Sequence, residues 1–173
     1  PSERAGGEAF VLFIDARNIF RQIDRAHREF TEEQIQNMAT IVRLYRGETD
    51  RLTALLAKYE EQAIDFSNLA DSQQNVVKQL KNEKPEFLEE SKAGDRDIKR
   101  WEKQVEEAEK QYKYLHDKQL YYETQIQWLT ERFPNGVYED VTGLCKAATL
   151  AEIEEQDFSL NPGRYVGVVI EED

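Results

Sequence analysis

The sequence contains little of the chemistry that most enzymes use: one cysteine, Cys145, and two histidines among 173 residues. A single thiol can form neither an internal disulfide nor a cysteine-built zinc site, and it suits a reducing cytoplasm. We expect Cys145 to be a small buried residue. No glycine-rich phosphate-binding loop opens a helix. The sequence therefore predicts no catalytic residue, no cofactor-binding residue and no metal ligand in this chain.

Long apolar runs are also missing. No run reaches the length of a bilayer-spanning helix and none resembles a signal peptide, so we expect a cytoplasmic protein with no membrane partner. Hydrophobic residues make up 39% of the chain and charged residues 34%, which is typical of long solvated helices. The net charge of −12 disfavours DNA binding by the whole chain, because an acidic surface repels phosphate groups.

A short apolar run does occur near the start, in the stretch AFVLFIDARN at residues 9–18. Residues 11–14 are apolar and Asp15 follows them, a pattern that predicts a buried β-strand. A strand without neighbours exposes a sticky edge. We expect this strand to pair either with a second copy of the chain or with the C-terminal stretch YVGVVI at residues 165–170.

The first helix is indicated by a capping box. Thr31 supplies the capping hydroxyl and Gln34 follows three residues later, the spacing at which each side chain can bond the other's backbone. Gly47 is expected to end the helix. The apolar residues at helical spacing between these signals are Ile35, Met38, Ala39, Val42 and Tyr45.

Two heptad series fill the middle of the chain, each with apolar residues in alternating steps of three and four. Gln73 and Gln119 are their polar breaks, and Pro85 and Gly94 lie between the two series. This pattern predicts two helices folded back as an antiparallel coiled-coil hairpin. The seam residues expected to make its helix contacts are Leu52, Leu56, Tyr59, Phe66, Val77, Leu80, Trp101, Val105, Leu115, Tyr122, Ile126 and Leu129.

A second apolar set lies off this seam. Because a hairpin uses one seam for its own packing, a protein partner must bind another surface. The candidates for that partner surface are Leu55, Ile64, Leu69, Val76 and Trp128.

The C-terminal stretch has a different character. VTGLCKAATLAEIEEQDF, residues 141–158, predicts short helices, with Thr149 as a cap. SLNPGRYVGVVIEED, residues 159–173, predicts an extended tail with a turn at Pro162 and Gly163, followed by strand-forming valines and isoleucine.

The expected fold class is therefore mainly α. It combines a long antiparallel coiled-coil helical hairpin with a short N-terminal strand and helix segment and an extended C-terminal tail. We divide the chain into residues 1–48, residues 49–133 for the hairpin, and residues 134–173.

The most basic stretch carries four arginines at three- or four-residue steps: Arg17, Arg21, Arg25 and Arg28. On a helix these side chains would share one face and could contact a DNA backbone. The nearby acids Asp15, Asp24 and Glu29 favour a structural ion-pair network instead. Both interpretations remain open on the sequence alone.

Two motifs in this sequence resemble one protein family. VLFIDARNIFRQIDRAHREFTEEQIQNMATIVRLYRGE, residues 11–48, resembles the end of the methyltransferase domain in modification subunits of type I restriction-modification systems. DFSLNPGRYVGV, residues 157–168, resembles the C-terminal signature of the same subunits. The motifs lie in the family's order, with a variable helical region between them.

The resemblance implies a parent enzyme that methylates adenine N6 in DNA with S-adenosylmethionine. It implies that two such subunits join one specificity subunit, which reads the DNA sequence, and that restriction subunits complete the assembly. It also implies that the C-terminal helices pack on helical spacers of the specificity subunit. The family's S-adenosylmethionine motif and its Asn-Pro-Pro-Tyr/Phe catalytic motif have no match here, since Gly163 stands where the second proline would be.

We therefore expect a C-terminal fragment that is inactive alone and mediates assembly with the specificity subunit, so that an upstream catalytic domain can methylate DNA. It would reach DNA through the assembled complex. The alternative is a free-standing coiled-coil adaptor or holdase that uses its two arms as a clamp.

Overall fold

A computed structural model of the chain describes residues 2–3, 8–84 and 92–170. The chain divides into two units: residues 1–55 and 128–173 form unit 1, and residues 56–127 form unit 2. Helices account for most of the described residues, which confirms a mainly α fold class. The division at residues 48 and 133 stays a prediction.

The elements follow one another in an order that puts the long helices between short strands. They are β1 (Ser2–Glu3), β2 (Ala9–Ile14), β3 (Arg21–Gln22), β4 (Arg28–Glu29), α1 (Glu32–Tyr45), α2 (Asp50–Asn82), α3 (Lys92–Arg132), β5 (Cys145–Thr149), α4 (Leu150–Glu155) and a 3-10 turn at Pro162–Arg164. None of the helices within the described ranges is both long and apolar enough to cross a membrane.

The expected N-terminal strand is present as β2, the central strand of a three-stranded antiparallel sheet in the order β1-β2-β5. The expected pairing with residues 165–170 was wrong, and pairing with a second copy of the chain stays a prediction. β2 pairs with β5 from the partners Phe10 and Thr149 to the partners Ile14 and Cys145, and not with residues 165–170. The backbone N–H of Asp15 continues this pairing by donating to the Leu144 carbonyl at 2.7 Å.

The helical prediction for residues 141–158 was correct only in part. Residues Cys145–Thr149 form β5, because their backbone groups complete the hydrogen bonds of β2. Helix α4 then begins after the expected cap: the Thr149 hydroxyl accepts from the Glu152 N–H at 3.2 Å. The Glu152 side chain accepts from the Thr149 N–H at 3.3 Å, which completes a capping box.

The expected C-terminal strand is not formed. Residues 168–170 are exposed and have no strand partner among the described residues. Gly167 has a φ of +75°, which lies outside the β region and interrupts the extended run. Before it, the Asn161 side chain accepts from the Gly163 N–H at 3.0 Å and fixes the 3-10 turn.

Helix α1 has the predicted ends but a different buried face. The Thr31 hydroxyl accepts from the Gln34 N–H at 3.2 Å, and the Gln34 side chain accepts from the Thr31 N–H at 2.9 Å. Gly47, at a φ of +86°, follows the helix as expected. Ile35 from the predicted apolar series is exposed. The buried residues are Asn37, Thr40, Ile41 and Leu44.

In unit 2, α2 and α3 contact each other with antiparallel order. The rings of Tyr59 and Tyr122 lie 5.8 Å apart, and further along α2 the Trp101 indole N–H donates to the Leu80 carbonyl at 2.7 Å. An increase in residue number along α2 therefore matches a decrease along α3. Coiled-coil geometry in the strict sense stays a prediction.

The two polar breaks behave differently. The Gln73 amide donates across the pair to the Ala108 carbonyl at 3.1 Å, whereas the Gln119 amide donates to Glu123 of its own helix at 2.9 Å. Gly94 lies inside α3, so it does not interrupt the helix. Pro85 lies outside the described residues.

Candidate functional site

The two motifs from the ends of the chain meet in unit 1. Phe13 of β2 stacks on Tyr165, with ring centroids 4.0 Å apart and ring planes 11° apart. Both rings are buried and share a core with Ala148 and Ile153. The Tyr165 hydroxyl donates to the Ser159 carbonyl at 2.6 Å, so its polar end is also satisfied.

A polar contact lies beside this stack. Arg17 donates to the buried Asp15 carboxylate from Nε at 2.9 Å and from Nη2 at 2.6 Å. These hydrogen bonds hold the pKa of Asp15 below its ordinary value. A Cβ at Gly163 would lie 2.8 Å from Arg17 Nη2, so the glycine permits the close approach of the two motifs. We term the five contacting residues the motif junction: Phe13, Asp15, Arg17, Gly163 and Tyr165.

Unit 1 also contains a cleft of about 390 Å³, which is lined in part by Asp15, Asn18, Trp128 and Arg132. The Arg132 guanidinium lies 4.4 Å from the centroid of the Trp128 ring, a cation–π contact. Burial lowers the pKa of Arg132. Since Arg17 already binds the Asp15 carboxylate, this acid is poorly placed to act as a general base.

The reactive side chains near β5 have structural contacts. The Cys145 thiol is buried and lies 3.7 Å from the Glu139 carbonyl, and the Tyr138 hydroxyl donates to Asp140 at 2.9 Å. Burial raises the pKa of both Cys145 and Tyr138, so both groups are protonated at neutral pH. Across the described ranges, no three His, Cys, Asp or Glu side chains are grouped to hold a metal ion.

The four arginines do not share a helical face, because β3 and β4 form an antiparallel hairpin. The helical interpretation was therefore wrong. Arg17 is paired with Asp15 and Arg21 with Glu29, as the ion-pair interpretation expected for these two. Contact with DNA stays a prediction for all four, and Arg25 and Arg28 are the two without a carboxylate partner among the described residues.

None of the twelve seam residues is exposed. The buried ones are Leu52, Tyr59, Val77, Val105, Leu115 and Leu129. The half-buried ones are Leu56, Phe66, Leu80, Trp101, Tyr122 and Ile126.

The off-seam residues separate into two groups. Leu55 is buried and Trp128 is half-buried, so neither is a free surface. In unit 2 the exposed fractions are 60% for Ile64, 53% for Leu69 and 45% for Val76. Leu69 and Val76 are seven residues apart and therefore lie on one side of α2. We term this pair the outer apolar face.

Several contacts could not be read from the sequence. The Phe13–Tyr165 stack joins residues far apart in the chain, and no local pattern indicates it. Gly143, with a φ of +78°, donates its N–H to the Val166 carbonyl at 2.8 Å and ties the tail to the segment before β5. The glycine itself was the available signal, since this backbone conformation favours glycine.

Comparison with known proteins places these features in a family. The model of the N-6 DNA methylase family matches residues 87–173, and the chain belongs to that family. It is also 58% identical over 36 residues to the type I restriction enzyme HindI methylase subunit of Haemophilus influenzae. These findings confirm the resemblance to type I modification subunits. The second match spans 21% of this chain and 8% of the relative. No solved structure matches the chain.

The stretch that resembles the family's catalytic motif departs from it in sequence and in structure. In the one stretch that resembles the catalytic motif, Asn161 and Pro162 are followed by Gly163 in place of the second proline. The Asn161 side chain is bonded to the Gly163 N–H, so it stabilises the turn and is not directed at a substrate base. We assign no step of methyl transfer to these residues.

Proposed function

We propose that this chain is the C-terminal region of a type I modification subunit and that it joins the subunit's catalytic part to the specificity subunit. The parent subunit methylates adenine N6 in DNA with S-adenosylmethionine, and restriction subunits bind the same assembly. Membership of the N-6 DNA methylase family and the local identity with the HindI subunit support this proposal.

The observation that carries the assembly role is the outer apolar face of unit 2. The seam is already used in packing α2 against α3, yet Leu69 and Val76 expose about half of their side chains. Burying such a pair against another helix removes apolar area from water, which stabilises association. We therefore assign the specificity subunit's helices to this face, in a helix-to-helix contact.

Unit 1 has a different task in this proposal. Its motif junction fixes β2 to the C-terminal tail through the Phe13–Tyr165 stack. In this proposal unit 1 joins this region to the catalytic part of the subunit. Partner binding at unit 2 then positions that catalytic part on DNA.

The test is co-purification of the full modification subunit with its specificity subunit. Leu69→Glu with Val76→Glu puts two charges on the outer apolar face, so we expect at least a tenfold loss of affinity for the partner. Leu55 is unsuitable as a probe because it is buried, and a charge there would unfold the helix pair.

A matched control is available one residue earlier at each position. Asn68→Glu with Asn75→Glu adds the same charge at exposed positions on another side of α2 and should leave binding unchanged. Circular dichroism must show equal helix content in both variants. Undiminished binding by the Leu69/Val76 variant would contradict the assignment of this face.

A further inference from the structure

The β3–β4 hairpin in unit 1 is a solvent-exposed ribbon with a fixed turn. Every residue from 21 to 30 is exposed. The Asp24 carboxylate accepts from the backbone N–H groups of Ala26 at 2.8 Å and His27 at 3.0 Å. These bonds close the turn and hold Arg25 at its tip. A two-stranded hairpin alone is marginally stable, so the Asp24 bonds help to define its shape.

The ribbon has a local charge opposite to that of the chain. Residues 21–29 contain three arginines, one aspartate and one glutamate, a formal charge of +1, whereas the whole chain has a net charge of −12. Arg17 and Arg21 have carboxylate partners. For Arg25 and Arg28, no carboxylate lies within ion-pair distance among the described residues. Their charges therefore remain available to an external anion.

Arg28 is also held in place before any ligand arrives. Its guanidinium lies 4.2 Å from the centroid of the Phe20 ring, and its Nε donates to the Gln22 side chain at 3.0 Å. A side chain that is already ordered loses less conformational entropy on binding. The guanidinium has further N–H donors besides Nε, and these suit phosphate oxygens.

We propose that Arg25 and Arg28 of the β3–β4 hairpin contact the phosphate backbone of duplex DNA in the assembled methyltransferase. This inference rests on the proposed function, which brings the subunit to DNA. Two-stranded ribbons fit along a DNA groove, and arginine contacts to phosphate position a protein without reading sequence. The β3–β4 hairpin would thus add affinity and fix the position of the subunit along the DNA. The specificity subunit would still determine which DNA sequence is bound.

The test measures DNA binding by the assembled full-length complex at several salt concentrations. Arg25→Gln with Arg28→Gln should weaken binding to target and non-target duplexes by the same factor. It should also reduce the slope of log affinity against log salt by about two for each modification subunit in the complex, since each phosphate contact contributes roughly 0.9. Arg43→Gln with Arg46→Gln removes two exposed arginines from α1 and the residue after it, and it should change neither quantity.

The outcomes separate this inference from the proposed function. Suppose that the wild-type complex assembles and methylates DNA but the Arg25/Arg28 variant keeps the wild-type slope of log affinity against log salt. In that case only the proposal for the β3–β4 hairpin fails. If that variant no longer co-purifies with the specificity subunit, the hairpin contacts protein and the proposal is wrong. If the wild-type subunit neither assembles nor methylates DNA, both proposals fail.

Discussion

Single residues connect the two ends of this chain through a few short contacts. Phe13 and Tyr165 are both buried, and they join motifs separated by the whole helical region. Gly163 permits Arg17 to lie against the turn, and Arg17 in turn binds Asp15. The conformation of the tail is thus tied to β2 by one apolar contact, the Phe13–Tyr165 stack.

A double-mutant cycle measures the apolar contact. Phe13→Leu and Tyr165→Leu each remove one ring and with it the stack, and the double variant removes both rings. We expect a coupling of about 1 kcal/mol in the free energy of unfolding, measured in urea, because stacked aromatic pairs contribute beyond their buried area. Additive effects would contradict a direct contact. Tyr165→Phe keeps the ring and isolates the hydroxyl bond to Ser159, with an expected cost of about 1 kcal/mol.

Two helices of this chain, α1 and α4, begin at signals that are local in the sequence. Helices α1 and α4 both begin with a capping threonine that bonds the N–H three residues later. Glu32 and Glu33 add negative charge to the first turn of α1, where the helix dipole favours it. Their starts are therefore specified locally, before any packing is considered.

Replacing the α1 cap tests that local specification. Thr31→Ala should lower the free energy of unfolding by about 1 kcal/mol, because the Gln34 N–H loses its acceptor at the helix start. Thr31→Ser retains the hydroxyl and should remain near the wild-type value. Thermal or urea unfolding followed by circular dichroism gives both values. Equal losses in the two variants would show that the threonine methyl group, and not the cap, matters.

The range over which each signal acts explains which elements could be predicted from the sequence. Capping boxes, Gly47 and the heptad series act within a few residues, and the corresponding helices are present. Strand β5 contains Cys, Lys and two Ala, which have little strand preference, so it depends on pairing with the distant β2. The apolar tail at residues 168–170 had stronger strand propensity but lies beyond the turn at Gly167.

The site was less predictable than the helices. The spacing of the four arginines left open whether they share a helical face, but the Asp24 side chain closes a turn there and a hairpin forms. The available signal in the sequence was Asp24 itself, because an aspartate side chain can accept from the backbone N–H two residues later and so favours a turn. The seam pattern predicted helix contacts, and all twelve seam residues are buried or half-buried, whereas periodicity gave no signal that Leu55 is buried as well.

At the scale of the whole molecule, charge and the distribution of functional groups lead to one expectation. The net charge of −12 opposes DNA binding, and the residues that resemble the catalytic motif stabilise a turn. We expect the isolated chain, mixed with S-adenosylmethionine and duplex DNA, to produce no N6-methyladenine. Calorimetry should detect no S-adenosylmethionine binding, and a gel shift at about 0.15 M salt should detect no complex, since screening weakens the few arginine contacts.

The full-length subunit with its specificity subunit is the positive control for this prediction, because it contains the same chain in the proposed assembly. Methylation by the complex and none by the isolated chain would indicate that this region serves assembly and that the methyl transfer occurs elsewhere in the subunit. The isolated chain could still bind DNA weakly at low salt, where the charges of the β3–β4 hairpin are less screened. Loss of that weak complex on Arg25→Gln with Arg28→Gln would agree with this prediction. Methyl transfer by the isolated chain would mean that its residues form a catalytic site, and the assignment of this region to assembly would be wrong.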